Sequence, residues 1–249
     1  MKRFSRATSA FIVLSALSAT WAPSASAGTK NVCPPGGASN ATYNGGLLVT
    51  DDNYCTLDHV TVNGGITVTS GSDVDLEGAT VNGGVTVRPG GEIEVDPGSV
   101  FGDNPQVSTI RGGIELNEAV DWDIETARIT GAVRINGGTE ALPTFCGNSV
   151  TGSLIVRNVS AEETWFGDRH DESFNCKGNT ISGSLLITNS SFLDVENNFF
   201  GGAVTLSAST LEFNGNRVGG SLRCLNGTVI VPGEGGDSSG NTVRGVNTC

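Results

Sequence analysis

Pairs of carboxylates that alternate with aliphatic residues are the best candidates for chemistry in this sequence. Three pairs follow one another along the chain: Asp75 and Glu77, Glu94 and Asp96, and Asp123 and Glu125. A fourth pair, Asp194 and Glu196, comes later. The residue between the members of each pair is apolar, so in a strand both carboxylates point outward.

Calcium favours sites that offer several carboxylate oxygens. We therefore predict that the first three pairs form a calcium-binding strip. The alternative is a solvated surface, because exposed charge also protects sheets against aggregation. Like charges on neighbouring strands repel, so this face calls for salt screening, bound cations or a basic partner.

A second candidate site lies in one of two segments that interrupt the repeat described below, residues 137–145 and 158–175. The second segment combines aromatic, charged and histidine side chains, and we predict it to be a binding loop: Trp165, Phe166, Asp168, Arg169 and His170. Long loops on a rigid scaffold often carry binding sites. The unperturbed pKa of a histidine lies near neutrality, which suits a general acid or base, but no partner nucleophile for His170 can be placed from the sequence. A solvated loop is the alternative.

The elements that position these residues follow a repeat of about 19 residues. The octets T-V-N-G-G-I-T-V at 61–68 and T-V-N-G-G-V-T-V at 80–87 are its clearest copies. Matching first positions occur at Thr42, Thr61, Thr80, Thr109, Arg128, Ser149, Thr180, Phe199, Arg217 and Thr242. Stacked repeats of this length indicate a solenoid, here with ten coils.

Apolar residues occupy the positions one, five and seven residues after each of these anchors, and a fourth apolar column lies four residues before most of them. The column five after the anchor runs from Leu47 and Ile66 to Val246. A spacing of two with β-branched residues is typical of strands. The sequence therefore predicts an all-β, single-domain parallel β-helix.

Two further columns are polar or small. Every copy has glycine three residues after the anchor, as expected for a corner that needs positive φ or close backbone approach. The later coils have asparagine just before the anchor: Asn148, Asn179, Asn198, Asn216 and Asn241. We interpret these residues as a structural asparagine ladder that satisfies turn backbone groups.

The six cysteines can be paired by their columns. Cys224 and Cys249 share a column, Cys146 and Cys176 occupy nearly the same offset in neighbouring coils, and Cys33 and Cys55 remain. We predict three disulfides, which are typical of exported chains. The spacing of the cysteines and of His59 and His170 does not favour zinc.

The asparagine-containing turns resemble those of right-handed parallel β-helix proteins. The phrases G-N-R-V-G-G-S-L-R-C at 215–224 and G-N-T-V-R-G-V-N-T-C at 240–249 resemble the C-terminal repeats of exported actinobacterial β-helix proteins of uncharacterised function. This resemblance implies the fold, its right hand and an exported location. It implies no catalytic residues.

The N-terminal residues are typical of a secretory signal peptide. Lys2, Arg3 and Arg6 precede an apolar run, and Ala25-Ser26-Ala27 provides a cleavage site before Gly28. We predict a signal peptide at 1–27, a β-helix domain at 28–249, no membrane span in the mature protein, and a secreted or cell-surface location. The net charge of −12 does not favour nucleic acid as a partner.

Together these patterns favour a non-catalytic structural or binding β-solenoid outside the cell or at its surface. Its expected ligands are a wall or extracellular polymer and calcium, and no cofactor is required. One alternative is a polysaccharide lyase or hydrolase, which would need acids grouped in a groove near Lys or Arg. Another is ice binding through the outward column of Thr42, Thr61, Thr80 and Thr109, although Arg128, Phe199 and Arg217 interrupt that column.

Overall fold

The computed structural model describes residues 30–97, 106–138, 142–161, 163–168, 177–231 and 240–249. Within these residues the chain forms three parallel sheets of ten strands each, and no helix is present. Each coil contributes one short strand to each sheet. The predicted all-β parallel β-solenoid of about ten coils is confirmed, while its hand stays a prediction.

The strands are named in chain order, and neighbours within each sheet are stacked coils. Sheet A contains β1 (Asn31–Val32), β4 (Leu47–Val49), β7 (Ile66–Val68), β10 (Val85–Val87), β13 (Ile114–Asn117), β16 (Val133–Asn136), β19 (Leu154–Arg157), β22 (Leu185–Thr188), β25 (Val204–Ser207) and β28 (Leu222–Leu225). Sheet B contains β2 (Ala38–Ser39), β5 (Tyr54–Asp58), β8 (Asp73–Glu77), β11 (Glu92–Asp96), β14 (Asp121–Glu125), β17 (Thr144–Cys146), β20 (Thr164–Gly167), β23 (Ser191–Glu196), β26 (Thr210–Asn214) and β29 (Val229–Val231). Sheet C contains β3 (Thr42–Asn44), β6 (Thr61–Asn63), β9 (Thr80–Val81), β12 (Thr109–Ile110), β15 (Arg128–Ile129), β18 (Ser149–Val150), β21 (Thr180–Ile181), β24 (Phe199–Phe200), β27 (Arg217–Val218) and β30 (Thr242–Val243).

The register follows the predicted columns. Every strand of sheet C begins at the predicted anchor of its coil, and each anchor pairs with the next one, as Thr61 does with Thr80. The columns that follow are buried, with Val62, Ile66 and Val68 each at most 1% exposed. Burial of one such aliphatic side chain is worth about 1.5–3 kcal/mol, so the stacked columns form the main source of stability.

The glycine column marks the corner between sheets C and A, where the backbones of successive coils approach closely. A Cβ atom on Gly112 would lie 2.3 Å from the backbone nitrogen of Gly84, and one on Gly83 would lie 2.6 Å from the carbonyl carbon of Gly64. Neither glycine has a positive φ, so close approach is the reason for glycine at these positions.

The asparagine ladder is confirmed as a structural element at the corner between sheets B and C. Asn198 is 2% exposed, and its Nδ2 donates to the carbonyl oxygen of Phe166 at 2.7 Å. Its Oδ1 accepts from the backbone N–H of Asn179 at 2.8 Å. Ser108 occupies the same position in an earlier coil and bonds the backbone through its hydroxyl. The ladder therefore satisfies buried turn groups that water cannot reach.

Two of the predicted disulfides are described. Cys33 is bonded to Cys55, and Cys224 is bonded to Cys249 with Cα atoms 4.9 Å apart. Cys146 is also disulfide-bonded, and its predicted partner Cys176 lies outside the described residues. Cys249 is exposed, because the last coil has a neighbour on one side only.

The prediction that residues 137–145 and 158–175 interrupt the coil is wrong where these segments contain strands. Thr144–Cys146 and Thr164–Gly167 are strands of sheet B, and Phe145 pairs with Phe166 in the core. Phe166 is an inward residue of its strand. Its ring centroid lies 5.7 Å from that of Trp122 and 6.0 Å from that of Phe145.

The signal peptide predicted at residues 1–27 lies outside the described residues. Within the described part of the chain, no helix is long and apolar enough to cross a membrane.

Candidate functional site

The acidic residues of sheet B are positioned by strand alternation in three successive coils. In β8, Val74 and Leu76 are fully buried, so the residues between and beside them point to the outer face. The parallel register then stacks Asp75 beside Glu94, and Glu94 beside Asp123. The predicted strip therefore exists as a continuous surface.

The structure adds a third row of acids that the sequence analysis did not include. Asp73 pairs with Glu92, and Glu92 pairs with Asp121. We call the combined surface the acidic face, and its nine members are Asp73, Asp75, Glu77, Glu92, Glu94, Asp96, Asp121, Asp123 and Glu125. The missed row could have been found, because Asp73, Glu92 and Asp121 continue the same alternation by two residues.

Most carboxylates of the acidic face are half-buried, whereas Asp75 is only 4% exposed. The ten described strands of sheet B contain no lysine or arginine. Negative charge is thus concentrated on one side of the solenoid, with no cation on the strands that form this side. Such a surface raises the local concentration of cations.

This crowding changes the protonation of three carboxyl groups. Burial, followed by the charges of Glu77 and Asp96, raises the pKa of Asp75 to about 7. Burial, followed by the charges of Asp96 and Asp75, raises the pKa of Glu94 to about 7. Burial and the charges of Glu92 and Asp121 raise the pKa of Asp73 to about 6. At neutral pH the fully ionised face is therefore unfavourable unless a cation binds.

Asp75 lies at the centre of the unfavourable interactions. Its Oδ2 accepts a hydrogen bond from the hydroxyl of Tyr54 at 3.3 Å. Its Oδ1 is buried, and no donor among the described residues reaches it. A buried carboxylate oxygen without a donor is costly, and either a proton or a metal ion would satisfy it.

A second, smaller acidic group begins on β23, three coils beyond β14 on the same sheet. Asp194 and Glu196 on β23 and Glu212 on β26 each offer a carboxylate oxygen within 4.8 Å of the others. Glu196 is 4% exposed and accepts a hydrogen bond from Nδ2 of Asn214 at 3.3 Å. The sequence showed the first two acids as a pair but did not identify Glu212 as their neighbour.

The predicted binding loop is not brought together as one site. Trp165 and Phe166 belong to β20 and are 7% and 2% exposed, so the prediction that they lie in a loop is wrong. Asp168 follows the strand, and its Oδ2 accepts a hydrogen bond from Nδ2 of Asn197 at 3.3 Å. Arg169 and His170 lie outside the described residues.

The threonine column considered for ice binding lies on the outer side of sheet C. Thr42, Thr61, Thr80 and Thr109 are stacked, and Arg128 follows them directly. The neighbouring column forms an exposed amide ladder, in which Nδ2 of Asn63 donates to Oδ1 of Asn44 at 2.8 Å. The regular threonine array thus spans four coils.

The described disulfides are consistent with an extracellular protein. Comparison of the chain with protein-family models, with curated proteins and with solved structures gives no significant match, so the architecture and the acidic face remain the basis for a functional conclusion.

Proposed function

We propose that this chain is an exported, non-catalytic β-solenoid that binds calcium on the acidic face of sheet B. It acts at the cell surface or outside the cell, where a wall or extracellular polymer is its partner. The observation that carries the proposal is the stacking of nine carboxylates on three neighbouring strands, together with the buried Oδ1 of Asp75 that lacks a donor.

Calcium suits this surface better than smaller or softer metals do. It takes six to eight oxygen ligands in flexible geometry, and adjacent strands provide many carboxylate oxygens without requiring one fixed arrangement. No cysteine or histidine belongs to the acidic face, so the donor set is made of oxygen atoms. Bound calcium would also relieve the repulsion that raises the pKa of Asp75 and Glu94.

A polysaccharide-degrading enzyme is less well supported by this face. Acid catalysis on a glycan requires carboxylates in a cleft, and elimination also needs a positively charged group near the substrate carboxylate. The described strands of sheet B provide the acids as a flat array and contain no arginine or lysine.

The proposal is tested by thermal unfolding of the mature protein in calcium chloride and in sodium chloride of equal ionic strength. A ligand of the native state held at 100 times its Kd adds about 2.7 kcal/mol to the free energy of unfolding. Calcium should therefore raise Tm well beyond the effect of sodium. Equal shifts in both salts would reduce the effect to charge screening and remove the site.

A double variant makes the test specific to the acidic face. Asp75→Asn with Glu94→Gln removes two charges at its centre, so the metal-free Tm should rise and the response to calcium should be lost. Glu115→Gln is the matched control, because Glu115 is an exposed acid on β13 of sheet A. It should leave the calcium response unchanged.

A further inference from the structure

The outer face of sheet A has the opposite character from the acidic face. Its strands carry Arg134 on β16, Arg157 on β19 and Arg223 on β28, and a single acid, Glu115, on β13. The middle of this face forms a shallow groove of about 250 Å³, lined by Glu115, Asn117, Arg134, Asn136, Ile155 and Arg157.

The register places the groove residues in two parallel rows. Glu115, Arg134 and Ile155 are direct neighbours on successive strands. Asn117, Asn136 and Arg157 form the second row, two residues further along the same strands. The two arginines are therefore diagonal neighbours on adjacent strands, and long side chains in this relationship can reach a common ligand.

Neither arginine is neutralised within the part of the chain that the structure describes. Neither guanidinium group lies within ion-pairing distance of a described carboxylate. Arg134 and Arg157 are exposed, and Arg134 makes no ion pair even though Glu115 is its direct neighbour. Two exposed guanidinium groups on adjacent strands, neither in an ion pair, are unexpected in a chain with a net charge of −12.

We propose that this groove binds the carboxylate-bearing sugar units, or uronates, of an extracellular polysaccharide. The planar guanidinium groups of Arg134 and Arg157 match the two oxygens of a carboxylate. The inference rests on the extracellular location and polymer partner proposed above. Because the groove lies on sheet A, it is a site separate from the acidic face of sheet B and does not depend on calcium.

The other lining residues fit the neutral parts of a sugar. Oδ1 of Asn136 already accepts a hydrogen bond from Nδ2 of Asn158 at 2.9 Å, which leaves its Nδ2 to donate to a hydroxyl oxygen. The carboxylate of Glu115 accepts hydrogen bonds from sugar hydroxyls. Ile155 offers an apolar surface between the arginines for the C–H groups of a ring. Glu115 repels any anion, so the uronate carboxylate must lie at the arginines with neutral hydroxyls beside Glu115. A fully sulfated or phosphorylated polymer would instead place negative charge beside Glu115.

The test is calorimetric titration of the mature protein, in EDTA and low salt, with a linear hexamer of glucuronate. The methyl ester of the same hexamer is the matched ligand, because it keeps the sugar rings and loses the negative charge. We expect the acid form to bind at least about tenfold more tightly than the ester, as charge-assisted hydrogen bonds are lost in the latter. Equal affinity for both forms, or no binding of the acid, would overturn the proposal.

Protein variants then place the site. Arg134→Gln with Arg157→Gln should weaken binding of the acid hexamer by about tenfold or more. Arg223→Gln, on the same face but outside the groove, should change the affinity less than about twofold. Glu115→Gln should change the selectivity by allowing a sulfated hexamer to bind more tightly than it does to the wild type. Retention of wild-type affinity by the double variant would show that the groove is not the site.

Discussion

Glu94 lies directly beside Asp75 on the neighbouring parallel strand, and burial together with surrounding carboxylates raises the pKa of each to about 7. The two side chains are therefore coupled both to each other and to folding. Carboxyl groups in an unfolded chain titrate near pH 4. Between about pH 4 and pH 7, the folded state consequently binds more protons than the unfolded state does.

The first prediction is that the protein becomes less stable as pH rises through this window. Because the folded pKa is raised, the free energy of unfolding falls between about pH 4 and pH 7 and then levels off. In calcium-free buffer of low salt we expect Tm to be lower at pH 8 than at pH 5 by at least about 5 °C. The double variant Asp75→Asn, Glu94→Gln should flatten this dependence, and a wild-type Tm that rises over the same range would contradict the prediction.

The second prediction concerns the strand that the sequence analysis mistook for a loop. Phe166 is 2% exposed and packs against Trp122 and Phe145, so Phe166→Ala should lower the free energy of unfolding by about 3–5 kcal/mol. Phe192 is 65% exposed, and Phe192→Ala is the matched control with an expected change within about 0.5 kcal/mol. Urea unfolding measures both. If both substitutions change the free energy of unfolding by a similarly small amount, Phe166 does not fill the core.

Phe166 shows where the repeat in the sequence stops being informative. In the preceding coil Phe145 lies four residues before the anchor Ser149, whereas Phe166 lies fourteen residues before its anchor, Thr180. Extra residues in the connection between two fixed strands cost little free energy, because the entropy of loop closure grows slowly with loop length. Counting back four residues from Thr180 therefore gives Cys176 in place of Phe166, and nothing in the sequence marks where the insertion begins.

The acidic face was predictable in its outline and not in its chemistry. Alternation around Leu76 and the regular period were enough to place Asp75 and Glu77 outside and to stack them on the next coil. The pKa of Asp75 depends on how deeply its carboxyl is buried and on which neighbours surround it. Burial and neighbouring charges depend on how side chains from three strands pack together, and the sequence repeat does not give this information.

The third prediction compares a buried amide ladder with an exposed one. Asn198→Ala leaves the carbonyl of Phe166 and the backbone N–H of Asn179 without their partners. Each buried polar group left unsatisfied costs about 1–3 kcal/mol, so we expect a total loss of about 2–6 kcal/mol. Asn63→Ala removes similar amide bonds to Asn44 and Asn82 on the surface, and should cost less than about 1 kcal/mol. Equal losses in urea unfolding would argue that burial of the ladder is unimportant.

The last prediction is that the bond between Cys224 and Cys249 holds the final described coil in place. Beyond β28, sheet A continues only as an isolated bridge between Leu222 and Asn247, and Val246 is 62% exposed. The disulfide joins residues 25 apart in sequence, and loop-entropy arithmetic makes such a bond worth about 3.5 kcal/mol. Because Cys249 is exposed, its thiol would contribute little packing after reduction.

Replacement of both Cys224 and Cys249 by serine should therefore loosen the last coil and leave the central coils intact. Amide exchange should become faster after about Gly219, while residues near Val133 and Leu154 keep their protection. The matched control replaces Cys33 and Cys55, which are bonded in the first coils, and should accelerate exchange there without changing the region after Gly219. Non-reducing peptide mapping provides the direct check. A fragment that joins Cys224 to any cysteine other than Cys249 would show that the register of the last coils is wrong.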